Sequence, residues 1–381
     1  MTDMVRLPEL RRVVIKVGSS TIAGNNGEVR LDFLEPFCAA VARLAANRVG
    51  VVVVTSGAIA LGRPLLGLPA ALPDIPTKQA CAAIGQPVLM RCYSKALEVH
   101  GLKAAQVLIT REDFLDRRRY LNAREAIHTL LTLGAVPVVN ENDTVAVEEI
   151  QFGDNDNLSA LVTGLLDADL LVLLTDVEGV YDADPCVNSE AQTILVIEEV
   201  TDELLGVAGE KAGALGRGGM RSKLLAARTT ASFGIPTMIA KGDEATLDAL
   251  LAGEPAGTFI PAGVNRLDSR KRWIAHSLLP AGAVLVDAGA ARALVTSGRS
   301  LLPMGIVGVA GGFKRGDLVE IKAPDGSVVG RGLSRYGAED VSRITGQRSD
   351  RIRVVLGYTF GEEVIHRDDM VIHLTGEANG P

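Results

Sequence analysis

The sequence predicts a layered α/β domain with a mostly parallel sheet, followed by a small β-rich module. Through residues 1–260, short apolar runs rich in Val, Ile and Leu alternate with longer segments of helical periodicity. Such runs are typical of parallel strands buried on both faces, and their alternation with helices indicates a sheet covered on both sides. After residue 280 the pattern changes to short alternating runs separated by glycine-rich turns, which is typical of small β-barrel modules.

Six apolar runs in the first region predict strands: Arg12–Val17, Val49–Thr55, Ala104–Ile109, Ala135–Asn140, Asp169–Thr175 and Ile235–Ala240. Five longer segments between them predict helices: Leu31–Asn47, Thr77–His100, Arg117–Leu133, Asn155–Leu166 and Met220–Phe233. The proline-rich segment Ile59–Gly85 is interpreted either as a lid or regulatory loop, or as an ordinary surface excursion.

The second region predicts five short strands: Val284–Asp287, Gly305–Val309, Leu318–Lys322, Val328–Leu333 and Arg351–Leu356. The basic stretch before it contains Pro261, Pro280 and the single tryptophan, Trp273, and is interpreted as an interdomain connection. The predicted organisation is therefore a first domain at 1–260, a linker at 261–280 and a second domain at 281–373.

Composition limits the classes of function. Hydrophobic residues make up 47% of the 381-residue chain, but no apolar run is long enough to span a bilayer, and no secretory signal is recognisable before Arg12. The four cysteines form no CxxC pair, so free thiols and a cytoplasmic location are expected. A net charge of −7 disfavours a general nucleic-acid binder.

Polar clusters directly follow four of the predicted strands. They are Lys16–Ser20, Thr55–Gly57, Asn140–Asp143 and Thr175–Asp176. Ligands of open α/β sheets bind at the carboxyl ends of the strands. The sequence therefore predicts an active site where these four clusters meet.

The stretch Gly153–Ala160 places four consecutive short polar side chains, Asp154 to Asn157, before an apolar helical run. One such residue is enough to cap a helix N-terminus, because its side chain bonds nearby backbone N–H groups. Four in a row predict a small polar ligand held at this helix N-terminus, with a capped surface loop as the alternative interpretation.

Two lysines and a glycine-rich loop predict a phosphate site. Lys16 ends the first strand and is followed by Gly18 and two serines, which offer backbone and hydroxyl donors. The loop Gly213–Gly219 leads into the helix that carries Lys223. Glycines let backbone amides close on a phosphate, and the helix N-terminus favours an anion. The chain contains no Gly-Lys dipeptide and therefore no Walker A loop.

The five histidines lie outside these polar clusters. Deprotonation of an alcohol normally needs a nearby base, whereas a carboxylate nucleophile, with a pKa of about 4, is already ionised. Its obstacle is repulsion from the triphosphate, which lysines and Mg²⁺ relieve. The clusters therefore favour phosphorylation of a carboxylate over that of an alcohol.

These motifs resemble those of the glutamate 5-kinases. The matching segments, in order, are Val14–Ser20, Val54–Ile59, Val139–Asp143, Gly153–Ala160, Leu174–Asp176, Gly218–Lys223, Leu301–Pro303, Gly332–Tyr336 and His366–Met370. The resemblance implies an αβα sandwich of the amino-acid kinase type followed by a small β-barrel PUA domain. It also implies the ATP-dependent phosphorylation of the γ-carboxylate of L-glutamate to L-glutamyl 5-phosphate, the first step of proline biosynthesis.

The resemblance further implies the roles of individual residues. Ser56, Asp143 and Asn155 match glutamate-binding positions. The α-ammonium group of glutamate suits Asp143, and its α-carboxylate suits hydroxyl and amide donors such as Ser56 and Asn155. The positions that match ATP-binding residues are Lys16, Thr175, Asp176, Arg217, Gly218, Gly219, Met220, Arg221, Ser222 and Lys223. Lys16 and Lys223 would neutralise the transferring phosphoryl group, and Asp156 would hold both lysines in place. ATP and Mg²⁺ are the implied cofactors, with no protein side chain expected to bind a metal.

Arg217 and Arg221 stand where family members carry smaller or hydroxyl residues, and Arg221 is expected to face solvent. The resemblance also implies proline as an inhibitor that competes with glutamate, and a homo-oligomer, either a dimer or a tetramer. Two alternatives remain open: another amino-acid kinase with a different acceptor, and an RNA-binding protein, because PUA domains elsewhere bind RNA. The equal numbers of acidic and basic residues at 281–381 disfavour RNA binding.

Overall fold

The computed structural model describes residues 7–24, 27–146, 155–183, 188, 190–207, 219–262 and 280–372. The chain divides into two compact units, Met1–Val264 and Asn265–Pro381. The linker at 261–280 remains a prediction, because residues 263–279 lie outside the described ranges. Among the helices that are described, none is both long enough and apolar enough to cross a membrane.

In the first unit, the strands are β1 (Arg12–Val17), β2 (Gly50–Val54), β3 (Lys103–Ile109), β4 (Ala135–Glu141), β5 (Leu170–Thr175), β6 (Thr237–Lys241) and β7 (Thr258–Ile260). The helices are α1 (Ser19–Ile22), α2 (Leu31–Ala46), α3 (Ala58–Leu65), α4 (Ile75–Glu98), α5 (Glu112–Leu115), α6 (Arg117–Thr132), α7 (Asn155–Leu165), α8 (Asp202–Val207), α9 (Met220–Ser232) and α10 (Glu244–Ala252). All six predicted strands and all five predicted helices are confirmed, with boundaries shifted by two residues at most.

The described strands of this unit form one sheet in the order β3-β4-β2-β1-β5-β6-β7. Every neighbouring pair from β3 to β6 is parallel, and only β7 runs antiparallel, against β6. The strand β1 therefore lies in the interior of the sheet, between β2 and β5.

Alternate side chains of β1 enter two separate cores. Val13, Ile15 and Val17 pack on one face with apolar residues of α2, α4 and α10. Val14 packs on the other face with apolar residues of α6, α7 and α9. This two-sided burial explains why the strands read as continuous apolar runs. The predicted αβα sandwich is confirmed.

Most of the proline-rich segment Ile59–Gly85 is helical, because it spans α3 and the first half of α4. Pro76 stands in the first turn of α4, after the N-cap residue Asp74, where a missing backbone N–H costs nothing. The two helices approach closely at Gly62 and Gly85, where an added Cβ would overlap the backbone of the facing helix. Only residues 66–74 form an irregular connection between them.

The second unit contains β8 (Gly282–Val286), β9 (Ile306–Gly311), β10 (Leu318–Lys322), β11 (Val328–Leu333) and β12 (Met370–Ile372), in the sheet order β12-β11-β10-β8-β9. Its helices are α11 (Ala288–Ser297), α12 (Ala338–Ile344) and α13 (Ile352–Leu356). They enclose a core of their own with the sheet. The predicted small β-rich module is confirmed, although its helices were not predicted.

The strand predicted at Arg351–Leu356 is wrong, because Ile352–Leu356 is the helix α13. Ile352 and Leu356 are buried while Val354 is exposed, which is the spacing of a helix face rather than of a strand. The β-branched residues favoured the strand interpretation, but a short run of this kind does not distinguish the two. Gly357 ends the helix in the left-handed conformation, with φ at 85°.

Candidate active site

The four polar clusters predicted from the sequence meet at one edge of the sheet. They follow β4, β2, β1 and β5, which are consecutive in the sheet order and parallel. Their carboxyl ends therefore point to the same edge. The predicted convergence of the clusters is confirmed, and Asp143 lies on this edge two residues after β4 ends.

At the centre of this edge, Asp156 bridges two lysines that are distant in sequence. Its Oδ1 forms an ion pair with Lys16 Nζ, and its Oδ2 lies 3.1 Å from Lys223 Nζ. All three side chains are buried, with Asp156 0%, Lys16 4% and Lys223 6% exposed. Buried charges are stable only when they are paired in this way. The cluster carries two cations and one anion, so one positive charge remains in excess.

Three elements deliver these side chains. Lys16 comes from the interior strand β1, Asp156 from the first turn of α7 and Lys223 from the first turn of α9. The Oγ of Ser222 lies 2.7 Å from Asp156 Oδ2 and 2.8 Å from the carbonyl oxygen of Gly219, so its proton serves these two acceptors. The two helices thus meet at their N-termini, where the positive ends of their dipoles favour an anion.

The pKa of Asp156 is lowered by this environment. Burial by itself raises the pKa of a carboxyl group, but the charges of Lys16 and Lys223 outweigh it, and the hydrogen bonds from Lys16 and Ser222 act in the same direction. Asp156 therefore stays an anion throughout the neutral range and fixes both ammonium groups.

A second polar network lies beside the first and is centred on Asn155. Its Nδ2 lies 2.6 Å from the carbonyl oxygen of Thr55, 2.8 Å from Ser56 Oγ and 2.9 Å from Asn140 Oδ1. A backbone carbonyl only accepts hydrogen bonds, so this atom of Asn155 is the nitrogen and its oxygen faces away. Ser56 Oγ accepts from Asn155, which leaves the hydroxyl proton of Ser56 to be donated elsewhere.

The helix α4 supports this network through residues that sequence reasoning missed. Gln86 Oε1 accepts from Asn140 Nδ2 at 2.8 Å, and the hydroxyl of Tyr93 lies 3.1 Å from Thr55 Oγ1. Complete burial raises the pKa of Tyr93, so its hydroxyl stays protonated. Gln86 and Tyr93 are seven residues apart and share one helix face. Two polar residues at this spacing on an otherwise apolar helix face were the sequence signal that could have indicated a buried polar network.

The predicted ATP-binding residues occupy the adjoining part of the edge. Thr175 ends β5 and donates from Oγ1 to Asp176 at 3.1 Å, and Gly219 caps α9. In the first turn of α9, Met220 is half-buried and Arg221 is exposed, as was expected for Arg221. A Cβ at Gly18 would lie 3.7 Å from Lys16 Nζ, an ordinary contact distance, so the backbone of Gly18 lies directly beside that ammonium group. Gly153, Asp154, Arg217 and Gly218 lie outside the described residues.

Within the described ranges, no three acidic, histidine or cysteine side chains converge in a way that could hold a metal ion. The cysteines that the structure describes, Cys38, Cys81 and Cys92, are free thiols, and Cys186 lies outside those ranges.

Each of the two units matches a known protein family or domain. Residues 11–241 match the amino acid kinase family, and residues 282–356 match the PUA domain. The glutamate 5-kinase of Trichlorobacter lovleyi is 47% identical over 367 residues, which cover 96% of this chain and 98% of that protein. The glutamate 5-kinase of Geobacter sp. (strain M21) is 47% identical over 368 residues, with the same coverage of 96% and 98%. The matches extend over almost the full length of each chain, so the two units occur together in these relatives.

Among solved structures, a UMP kinase from Bacillus anthracis aligns with 67% of this chain and 97% of its own, at a TM-score of 0.46 and 16% sequence identity. The amino acid kinase match covers more than half of this chain, and the two glutamate 5-kinases are 47% identical to it over 96% of its length. The chain therefore belongs to the amino acid kinase family and, within it, to the glutamate 5-kinases.

Proposed function

We propose that this enzyme transfers the γ-phosphoryl group of ATP to the γ-carboxylate of L-glutamate, which gives L-glutamyl 5-phosphate and ADP in the first step of proline biosynthesis. The observation that carries the proposal is the buried ion cluster of Lys16, Asp156 and Lys223, which lies beside the amide network of Asn155 and Ser56. The ion cluster suits a transferring phosphoryl group, and the amide network suits a small zwitterion.

In the proposed reaction, a γ-carboxylate oxygen of glutamate attacks the γ-phosphorus of ATP. A new phosphorus–oxygen bond forms while the bond to the bridging oxygen of ADP breaks, so ADP leaves with its negative charge. The attacking carboxylate is already ionised and needs no general base. The barrier is electrostatic, because two anions must approach each other. Lys16 and Lys223 lower this barrier by holding positive charge where negative charge gathers.

Asp156 acts through the two lysines. It accepts from both and so fixes their positions, while the cluster keeps one positive charge in excess. The ATP side of the site is assigned to Thr175, Asp176 and the segment 217–223, with the backbone of Gly18 beside Lys16. Mg²⁺ would enter as the complex with ATP, since anionic phosphate oxygens are ligands that it prefers.

In the proposed pocket for the acceptor glutamate, the contact of each side chain follows from whether its free atom donates or accepts hydrogen bonds. The Ser56 hydroxyl proton is free of Asn155 and would bind the α-carboxylate of glutamate. Asn155 uses its nitrogen within the protein, so its oxygen is the atom available for the α-ammonium group, together with the carboxylate of Asp143. The sequence interpretation gave Asn155 the role of a donor to the α-carboxylate. The hydrogen bonds favour the opposite polarity.

The proposal also includes inhibition of the enzyme by proline and its assembly into a homo-oligomer. Proline carries the same α-carboxylate and a ring ammonium group, so it would bind in the acceptor pocket and compete with glutamate. A homo-oligomer, either a dimer or a tetramer, is the expected form in solution, and sedimentation of the purified protein would measure it.

The decisive experiment is hydroxamate formation by the purified protein with ATP, Mg²⁺ and hydroxylamine. Hydroxylamine traps an acyl phosphate, so the assay reports the bond that is made rather than the loss of ATP. We expect product with L-glutamate and none with aspartate or N-acetylglutamate. Product with another acceptor would assign the enzyme a different substrate, and no product with any of them would refute carboxylate phosphorylation.

A further inference from the structure

Gln86 is a buried polar residue that the proposed reaction does not yet use. It lies on α4, is 8% exposed and accepts a hydrogen bond at Oε1 from Asn140 Nδ2 at 2.8 Å. Asn140 in turn accepts from Asn155 Nδ2. Three amide side chains from α4, β4 and α7 thus form a continuous row that ends at Ser56.

Backbone groups fix the orientation of Asn155 and Asn140, and Asn140 in turn fixes that of Gln86. The backbone N–H of Glu141 donates to Asn140 Oδ1 at 2.9 Å, and a backbone N–H only donates. Asn140 must therefore present its nitrogen to Gln86, and Gln86 must present its oxygen to Asn140. The nitrogen of Gln86 belongs to the same planar amide, so it lies next to this contact and faces away from it.

That nitrogen, Gln86 Nε2, is buried and has no hydrogen-bond partner among the described residues. Buried polar groups nearly always have a partner, so a donor left without one indicates that its partner arrives separately. A Cβ at Gly85 would overlap the carbonyl oxygen of Ala58, two residues after Ser56, so α4 passes close to the segment that carries the Ser56 hydroxyl. The row of amides joins the unpaired donor of Gln86 to that same segment.

We propose that Gln86 Nε2 donates a hydrogen bond to the α-carboxylate of the acceptor amino acid, alongside the Ser56 hydroxyl. The pocket then has two donors for the α-carboxylate, on Gln86 and Ser56, and an acceptor on Asn155 for the α-ammonium group. Gln86 selects a free amino acid over analogues that lack the α-carboxylate. This inference rests on the function proposed above.

The substitution Gln86→Glu tests it, because the new side chain keeps an oxygen for Asn140 and replaces the donor with an acceptor. We expect the KM for glutamate to rise at least about tenfold, since a hydrogen bond to a charged group is lost. The kcat and the KM for ATP should change less than about twofold, because the lost interaction binds the ground state and the transition state alike. Hydroxamate formation with varied glutamate measures all three.

The pH dependence separates a missing donor from a general disturbance. A carboxyl group at this buried position donates again once it is protonated, so the excess in KM over the wild type should shrink as the pH falls from about 8 to 6. The control is Gln106→Glu, which adds the same charge at an exposed position on β3 and should leave the KM for glutamate unchanged.

A wild-type KM for glutamate in folded Gln86→Glu would overturn the inference and leave the proposed function intact. Parallel changes in stability, kcat and both KM values would also overturn it, because they would show a purely structural role. If Gln86→Glu does not fold, Gln86→Met removes the amide at similar length and should raise the KM for glutamate with no recovery at low pH. Failure of the wild-type enzyme to act on glutamate would instead refute the proposed function.

Discussion

Asp156 determines whether two buried ammonium groups can lie close together. It is fully buried and is the anion that contacts both Lys16 and Lys223. Breaking a buried ion pair costs far more than breaking an exposed one, because the remaining charge loses both its partner and its solvent. At this scale, then, stability and the proposed chemistry depend on the same side chain.

We expect Asp156→Asn to lower the free energy of unfolding by about 3–5 kcal/mol, because it leaves two cations uncompensated at nearly constant volume. Urea denaturation of the variant and the wild type measures this loss. The matched change Asp202→Asn removes the exposed partner of Arg228, an ion pair of 2.7 Å, and should cost less than about 1 kcal/mol. Equal losses in the two variants would contradict a special role for the buried cluster.

Lys223→Ala should lower the turnover number on the order of a hundredfold or more, since each ~1.4 kcal/mol of lost transition-state stabilisation is tenfold in rate. The physical reason is the loss of one of the two positive charges at the transferring phosphoryl group. Hydroxamate formation at saturating ATP and glutamate measures the effect. Arg228→Ala removes an exposed cation further along the same helix, outside the segment 217–223, and should leave turnover near the wild-type value. A near-normal rate for Lys223→Ala would remove this lysine from the mechanism.

At the scale of elements, α4 supports the polar network that contains Asn155 and Ser56. Its face carries Gln86 against Asn140 and Tyr93 against Thr55, so one rigid helix fixes the ends of both β4 and β2. The helix can do so only because glycines at 62 and 85 let α3 and α4 touch backbone to backbone. Small changes in this packing should therefore alter the positions of the side chains in the proposed acceptor pocket.

We expect Gly85→Ala to destabilise the protein and to raise the KM for glutamate, because its Cβ would overlap the carbonyl of Ala58 and push α4 outward. The matched change Gly206→Ala lies on α8, where no atom stands within 4 Å of the added methyl group. There the better helix propensity of alanine should be neutral or stabilise by up to about 1 kcal/mol. Thermal unfolding and glutamate kinetics on both variants measure the contrast, and a tolerated Gly85→Ala would contradict the close approach.

The helix α6 contributes a pH-dependent element through His128. Burial lowers the pKa of His128 to about 4, and the charges of Arg12 and Arg124 add to this effect against the opposing charge of Asp167. The unfolded chain therefore takes up a proton on this side chain between pH 6.5 and about 4 that the folded chain does not. Stability that is present above pH 6.5 should be lost as the pH falls through this window.

Urea denaturation from pH 7.5 to 5 should show a smaller loss of stability in His128→Gln than in the wild type. The slope of the unfolding free energy against pH reports how many more protons the unfolded state binds than the folded state. In the variant this difference should be smaller by up to one proton. Identical slopes in the two proteins would show that His128 titrates normally in the folded state.

At the scale of the whole molecule, the two units have separate cores. The core of the second unit is built from its own sheet and from α11, α12 and α13, while the residues of the candidate site all come from the first unit. Damage to the second core should therefore leave the chemistry intact as long as the first unit remains folded.

Ile344→Ala tests this separation, because Ile344 is fully buried in the second core. The substitution should destabilise that unit by about 2–5 kcal/mol and leave the rate of hydroxamate formation within about twofold at 25 °C. The comparison is Leu165→Ala, which opens a similar cavity beside α7, the helix that carries Asp156, and should reduce both stability and activity. Loss of activity in both variants would show that the second unit is needed for the reaction.

The sequence was most informative where burial dictates the pattern. Interior strands such as β1 and β5 are apolar on both faces, so their runs predicted them closely, and the polar residues that follow them predicted the site. The strand β7 was missed because its three residues are too few to show a period. The helix α13 was misread because its β-branched residues also suit a strand. The pairing of Gln86 with Asn140 depends on how α4 packs over β4, which spacing along the chain does not encode. The catalytic and binding roles came from the family resemblance and remain predictions.

The ion cluster at the sheet edge has a further consequence for the timing of its assembly. Two like charges repel, and bringing them together at the moment of reaction would require solvent and side chains to reorganise. Here Asp156 pairs with both ammonium groups and so holds them in place in the folded protein. The electrostatic work of gathering them is thus done once, during folding, and in the proposed reaction each catalytic cycle would begin with a preorganised field directed at the incoming phosphoryl group.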